Sequence, residues 1–238
     1  MFFHLVVASA LSLALVGEAR ADTTATAKTP APTSVSIDVK IGDKWDYEYH
    51  SNLDNVNSGA TSYVVQDISP GKIGAESRTH RSNGGRDAVQ DFVYDRSWRM
   101  IEAPKGRYLK ADAVSEPFPS IAVGKEWTSN LLWQPTNSSL GLKWIEHGRV
   151  AGWENVTLEN GQSYDAFRIV VRLESTPLEG AGIQVVTAGF TTQKLVDRIV
   201  EWYAPAINRY VKRTFESSRD GTVVESFREE LTAYSHGN

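Results

Sequence analysis

The chain has 238 residues, with 25 Lys and Arg against 29 Asp and Glu, a formal charge of −4 and no cysteine. The charges are interspersed, so no basic footprint for nucleic acid is present and polyanions are not expected as partners. Without thiols there are no disulfides, thiolate metal sites, cysteine nucleophiles or cysteine-linked lipids, and cohesion must come from packing.

The first stretch, MFFHLVVASALSLALVGEARA, carries an apolar run from Phe2 to Val16 followed by Ala19-Arg20-Ala21, the small-x-small pattern of a secretory cleavage site. Residues 1–21 are therefore expected to be a signal peptide, removed after Ala21, with a periplasmic or secreted product. The run is shorter than the roughly 20 residues of a membrane-spanning helix, and no later stretch is apolar for as long, so no transmembrane segment is expected. Residues 22–35, DTTATAKTPAPTSV, lack apolar periodicity and read as a disordered linker with local polyproline character.

From 36 to 235 the sequence reads as a single β-domain. Segments rich in Val, Ile, Thr and aromatics alternate in polarity at 44–49, 62–68, 72–80, 88–95, 98–103 and 107–112. They continue at 126–133, 142–158, 163–174, 183–193, 195–204, 209–217 and 223–234, separated by turn formers such as NSG, NGG, ENGQ and RDG. The pattern predicts an all-β antiparallel curved sheet or incomplete barrel, a half-barrel in outline. Only VVESFREELTAY also fits helical spacing, through Val223, Phe227, Leu231 and Tyr234. Its hairpin with 209–217 is ambiguous. A two-residue Asp220-Gly221 loop sets Arg213 opposite Arg228 and Glu216 opposite Glu225, whereas a four-residue loop avoids both clashes, and side-chain chemistry favours the longer turn.

Two stretches echo each other. Ala103-Pro104 leads to Arg107-Tyr108-Leu109-Lys110, and Ala204-Pro205 leads to Arg209-Tyr210-Val211-Lys212. Upstream, Ile41-Gly42-Asp43-Lys44-Trp45 parallels Val123-Gly124-Lys125-Glu126-Trp127, both aliphatic-Gly-x-x-Trp. The expectation is two related β-units, about 36–118 and 119–235, with a lengthened hairpin near 176–193 in the second. The echo reads as scaffold, because Pro ends a strand and the alternation that follows leaves each face amphipathic.

No nucleophile elbow, zinc-protease helix, phosphate loop or calcium loop occurs, so no catalytic residue, cofactor or metal is assigned. His50, His80, His147 and His236 are too scattered for ligand spacing, and Glu146-His147 between Trp144 and Trp153 is the one polar cluster of note. Seven tryptophans are the unusual count. They supply either core or an apolar groove, and Trp98, Trp144, Trp153, Trp202 and Tyr203 are the candidate ligand-binding residues.

GRVAGWENVTLENGQSYDAFRIVVRLE resembles a loosely defined group of bacterial exported β-domains of unknown function. The matching positions are Gly152, Glu154, Val156, Leu158, Gly161, Tyr164, Ala166 and Arg168-Ile169, then Trp202-Tyr203-Ala204-Pro205. The resemblance covers roughly 145–215, and Glu159-Asn160 stands where such domains usually carry Pro-Ala. It implies a secreted antiparallel sheet similar to periplasmic half-barrels and distantly like lipoprotein carriers, and it brings no catalytic residues. The expected function is non-enzymatic binding of a lipid-like, apolar or amphipathic envelope ligand, or of an envelope protein. The rivals are a hydrolase with dispersed residues, His147 or His80 as base, and a structural interaction module with a dry core and an exposed edge strand.

Overall fold

A computed structural model describes residues 30–33, 35, 37–52, 58–82, 86–96, 98–111, 121–136, 142–177 and 195–237. The expected signal peptide, most of the expected linker and the segment at 183–193 lie outside the described residues. Twelve antiparallel strands follow in order: β1 Lys44–Ser51, β2 Gly59–Ser69, β3 Lys72–Arg81, β4 Ala88–Asp95, β5 Met100–Ala103 and β6 Gly106–Ala111. The second six are β7 Glu126–Pro135, β8 Leu142–Thr157, β9 Ser163–Pro177, β10 Leu195–Ala204, β11 Arg209–Arg219 and β12 Thr222–Ser235. The segment with helical spacing is thus the long strand β12.

Each strand pairs with its sequence neighbours, and β12 also pairs with β1, from Lys44 opposite Ser235 to Ser51 opposite Phe227. The sheet is therefore a closed barrel and not an open trough. Closure removes the edge strand on which the structural-module reading depended. Period-two alternation then divides every strand into an inner and an outer face. The outer positions of β8–β10 include the exposed His147, Arg149, Arg172 and Arg198, where a membrane-spanning barrel turns an apolar belt to lipid.

The β11–β12 turn differs from the four-residue loop favoured on side-chain grounds. Arg219 pairs with Thr222 across Asp220 and Gly221, whose φ values of 48° and 82° are those of a two-residue hairpin turn. A bulge between Ser217 and Ser218 then shifts the register by one residue. It sets Arg213 opposite Glu229 and Glu216 opposite Ser226, so both like-charge pairs disappear while the tight turn is kept.

The Gly-x-x-Trp stretches adopt one geometry. Gly42 and Gly124 both have φ 88°. Gly42 N donates to Val65 O at 2.8 Å and Gly124 N to Val150 O at 2.9 Å, and Val65 N and Val150 N donate back to Asp43 O and Lys125 O. Bulges follow at the same point, between Val65 and Asp67 in β2 and between Val150 and Gly152 in β8. The Ala-Pro echo does not correspond in this way. Pro104 lies in the β5–β6 turn at one end of the barrel, while Pro205 lies in the β10–β11 turn at the other, and Arg107 is exposed where Arg209 is buried. The element that matches the β10–β11 turn is the β4–β5 turn. Each contains a left-handed residue, Asn208 (φ 55°) and Trp98 (φ 62°), and each is framed by a bulge, at Trp202/Tyr203 and at Val93/Tyr94.

Packing is densest at the end bearing these two turns. Trp45 and Tyr47 are fully buried, with Tyr63, Val65, Ile73, Val211 and Leu231 around them. Ile37 and Val39 join this cluster from the segment before β1, and Ala31 and Val35 pack on a second cluster of Ile121, Val150, Trp153, Phe167, Ile169 and Tyr203. Trp45 Nε1 donates to Ile207 O at 2.9 Å and Trp98 Nε1 to Asn208 O at 2.6 Å, so two indoles hold the β10–β11 turn.

Trp127 is opposite Gly148 in register, and its ring lies on the glycine where a Cβ would be. This fixes Gly148 for lack of room, since the aromatic ring takes the place of the missing side chain. Gly148→Ala is expected to destabilise the fold by about 1–3 kcal/mol through overpacking, read as a lower urea midpoint at unchanged slope.

Candidate functional site

Charged side chains occupy the middle of the barrel interior, on β10, β11 and β12. The bulge that pairs Tyr203 with Tyr210 leaves Val211 as the extra residue, so Tyr210 and Arg213 both face inward. Arg213 Nη2 is 2.7 Å from Glu229 Oε2, and Arg213 Nη1 is 3.8 Å from Glu201 Oε1. Tyr210 OH donates to Glu229 Oε2 at 3.0 Å, and Tyr47 OH donates to Tyr210 O at 2.7 Å. Arg209, only 3% exposed, makes no ion pair among the described residues. Its guanidinium lies 4.3 Å from the Tyr63 ring centroid, 4.4 Å from Trp98, 5.1 Å from Tyr210, 5.2 Å from Trp45 and 5.6 Å from Tyr94.

The rings stabilise the Arg209 charge, each desolvated cation–π contact contributing on the order of 0.5–2 kcal/mol. They accept no conventional hydrogen bond. Arg209 Nε and Nη1 and Arg213 Nε are buried without an acceptor among the described residues, and an unmet buried donor costs roughly 1–3 kcal/mol. Burial pushes the hydroxyls of Tyr47, Tyr63 and Tyr210 well above their usual range, which keeps them neutral donors. Burial also raises the Glu201 carboxyl, against the opposing pull of Arg213 and Arg209. Further along β10, burial raises Asp197 too, and across the interior it pushes Tyr108 up to about 12.

Exposure rises in one direction along the inner faces of β10, β12 and β1, and on β9 as far as Leu173. On β9, Phe167 and Ile169 are buried at 0% and 2%, Val171 and Leu173 are half-buried, and Ser175 is buried again at 3%. On β10 the sequence runs from Tyr203, buried, to Glu201 at 29% and the half-buried Ile199 and Asp197. On β12 it runs from Leu231 and Glu229, buried, to the half-buried Phe227 and Glu225, and on β1 from Trp45 and Tyr47 to Tyr49 and Ser51. Phe215 and Phe227 stack at 4.9 Å in this half-buried region, and Arg213, 25% exposed, borders it. The β7 wall is packed at the same depth, with Ser129 at 2% and Leu131 at 4%. The reachable interior therefore lies against β9–β12 and β1, with the Glu201–Arg213–Glu229 layer as its floor.

Of the five aromatics singled out from the sequence, Trp98, Trp153 and Tyr203 meet in one cluster, and Trp144 and Trp202 lie elsewhere. Trp98, Trp153 and Tyr203 belong to the densely packed end, Trp153 against Phe167 at 4.5 Å. Trp144 sits toward the other end, opposite the buried Leu131 and Ser175. Trp202 is on the outer face, donating from Nε1 to Glu154 Oε1 at 2.6 Å with the Lys212 ammonium 5.8 Å from its ring. Trp202 and Tyr203 are consecutive in a strand and so face opposite sides. The same alternation separates Glu146, bonded inside to Trp127 Nε1, from His147, exposed outside on Thr128 at 3.1 Å. His80 pairs with Asp87 at 2.6 Å on an exposed rim, and His50 is beside Glu48. Among the described residues no group of His, Asp and Glu is arranged to hold a metal. Two depressions of about 520 and 530 Å³ are bordered by Arg198, Phe215, Glu216, Phe227 and Arg228 and by Glu126, Trp127, Arg149 and Arg172.

No protein-family model matches the chain, and no curated protein does. Among solved structures, the hypothetical lipoprotein YmcC of Escherichia coli K12 is similar over 81% of this chain and 85% of its own, at 12% identity and TM-score 0.42. A putative exported protein with a YmcC-like fold from Bacteroides fragilis is similar over 85% of this chain and 99% of its own, at 11% identity and TM-score 0.40. No helix among the described residues is long and apolar enough to cross a membrane.

The raised Glu201 carboxyl gives the fold a defined pH response. Its native value lies above the unfolded 4.5, so its favourable contribution is complete below 4.5 and is lost as pH rises through the native value. Glu201→Gln removes that loss. The variant is expected to match or exceed the parent protein in urea stability at pH 8, with the difference vanishing near pH 4. A large loss at pH 8 would instead make the 3.8 Å contact with Arg213 a strong ion pair.

Proposed function

We propose that this protein is exported, loses residues 1–21, and works in the periplasm or outside the cell as a non-enzymatic carrier or receptor. It is built of two related units, about 36–118 and 119–235, and takes an apolar or amphipathic ligand into the part of the barrel that is not densely packed. The observation that carries this reading is the gradient on β9, β10, β12 and β1, where inward-facing Val171, Ile199 and Phe227 are half-exposed within a closed barrel whose other end is buried. Apolar walls with a few polar groups at the bottom are the usual lining of small-molecule sites, and barrel mouths are a usual place for them. The apolar run and Ala19-Arg20-Ala21 support export.

The test is ligand retention. Gently purified protein is expected to carry a co-purifying hydrophobic small molecule in native mass spectra and, once stripped, to enhance the fluorescence of N-phenyl-1-naphthylamine at near one-to-one stoichiometry. Protein with no bound mass and no enhancement would sink the proposal. Turnover on an ester or glycoside panel abolished by His80→Ala or His147→Ala would replace it with the hydrolase reading.

A further inference from the structure

The two halves differ at one position in a way that bears on the ligand. In the β4–β5 turn the left-handed Trp98 precedes Arg99, and the residue across from Arg99 is Asp95. Asp95 N donates to Arg99 O at 2.8 Å, and the Arg99 guanidinium answers with Nε 3.1 Å from Asp95 Oδ2. In the matching β10–β11 turn the left-handed Asn208 precedes Arg209, and the residue across from Arg209 is Ala204. The arginine is present in both halves, and its carboxylate in only one. Arg209 has five ring faces in place of an acid, and two of its nitrogens, Nε and Nη1, find no acceptor among the described residues.

A second cation also lies against the Tyr210 ring. The Arg209 and Arg213 guanidinium carbons are 5.1 and 4.8 Å from the Tyr210 centroid, and Arg213 Nε also lacks an acceptor. Glu229 serves Arg213 and Tyr210 together, and Glu201 stands off at 3.8 Å. Burial raises the Glu201 carboxyl against the pull of both arginines, so of the two acids Glu229 is the one in close contact with a guanidinium. The apolar surface of Ile199, Phe215 and Phe227 begins where this layer ends.

We infer that the ligand is an amphiphile with an anionic head, seated head-down so that a carboxylate or phosphate meets Arg213 while its chain runs along Ile199, Phe215 and Phe227. Arg209 supplies the second positive charge from behind Tyr210. Charge-assisted bonds from a guanidinium suit either head group, and the enclosed setting strengthens them over those made in water. This assignment rests on the interior being the ligand site, and the two can fail separately.

Displacement of N-phenyl-1-naphthylamine from the full-length processed protein at pH 7.5 separates them. The competitors share a ten-carbon chain: decanoate, decyl phosphate, decanol and decyltrimethylammonium. Decanoate or decyl phosphate is expected to displace the probe at least 10-fold more effectively than decanol or the cation, and the better of the two identifies the head group. Arg209→Gln is expected to cut that preference below 3-fold, and Arg209→Lys to keep most of it, each variant checked for native circular dichroism. Equal displacement by all four overturns the anionic head and leaves the interior site standing. Failure of every competitor, or of the probe, overturns both. Should Arg209→Gln not fold, the parent protein's own head-group series decides the matter.

Discussion

The pairing of β12 with β1 governs the rest of the structure. Once twelve strands close, inner positions face a space wider than the eight-strand barrel that side chains just fill. A sequence without disulfides can meet that width with large side chains, with its own terminal segment, or by leaving part of the interior unfilled. All three solutions occur. Trp45, Tyr47, Trp98, Trp153 and Phe167 fill one end, and Ile37 and Val39 enter beside them. The far halves of β10 and β12 carry inward side chains that stay half-buried, as do Val171 and Leu173 on β9 and Phe215 on β11. The high tryptophan count is thus a consequence of barrel width, since aromatics bury the most area per residue at low conformational cost.

The polar layer lies between these two regimes. A buried guanidinium such as Arg209 is tolerated because Trp45, Tyr63, Tyr94, Trp98 and Tyr210 are already required there as filling and present their faces to it. Arg213 is tolerated because Glu229 neutralises it. Removing one partner from such a layer leaves a buried charge uncompensated, so the layer makes one arrangement of β10–β12 strongly preferred over its neighbours in register. The same groups give the interior its chemical character. Under the proposed binding role, the structural device and the recognition surface are the same residues, which would tie the affinity of the site to the stability of the barrel.

Much of the fold was legible because alternation is a local property. The strand boundaries, the antiparallel class and the shared Gly-x-x-Trp turn all follow from residues near one another in sequence. Features set by one extra residue were not legible. The bulge at Ser217/Ser218 allows Asp220-Gly221 its tight turn without the clash of Arg213 with Arg228, and counting opposite positions cannot foresee it. Likewise the Ala-Pro echo aligned opposite ends of the barrel, because Pro104 lies in the β5–β6 turn and Pro205 in the β10–β11 turn, a distinction that local residue type does not carry. The site was harder still. Tryptophans were the conspicuous feature, yet Trp202 faces out and Trp153 is core. The charges of Arg209, Arg213 and Glu201 read as a solvated strand face until closure turns that face inward. One signal was present: Ile199, Glu201 and Tyr203 alternate on one face, placing an acid between two apolar neighbours.

The central claim is that the interior is sealed at one end and reachable from the other, and the absence of cysteine makes it directly measurable. Single-cysteine variants Leu231→Cys, Phe227→Cys and Ile199→Cys place one thiol at graded depths along the inner wall, and a small charged methanethiosulfonate reagent reports access in native buffer. The account predicts rapid modification for Phe227→Cys and Ile199→Cys and protection of Leu231→Cys until the protein is unfolded. Equal protection of all three would mean a fully packed interior with no place for a ligand, and equal reactivity would mean that the densely packed end does not exist in solution.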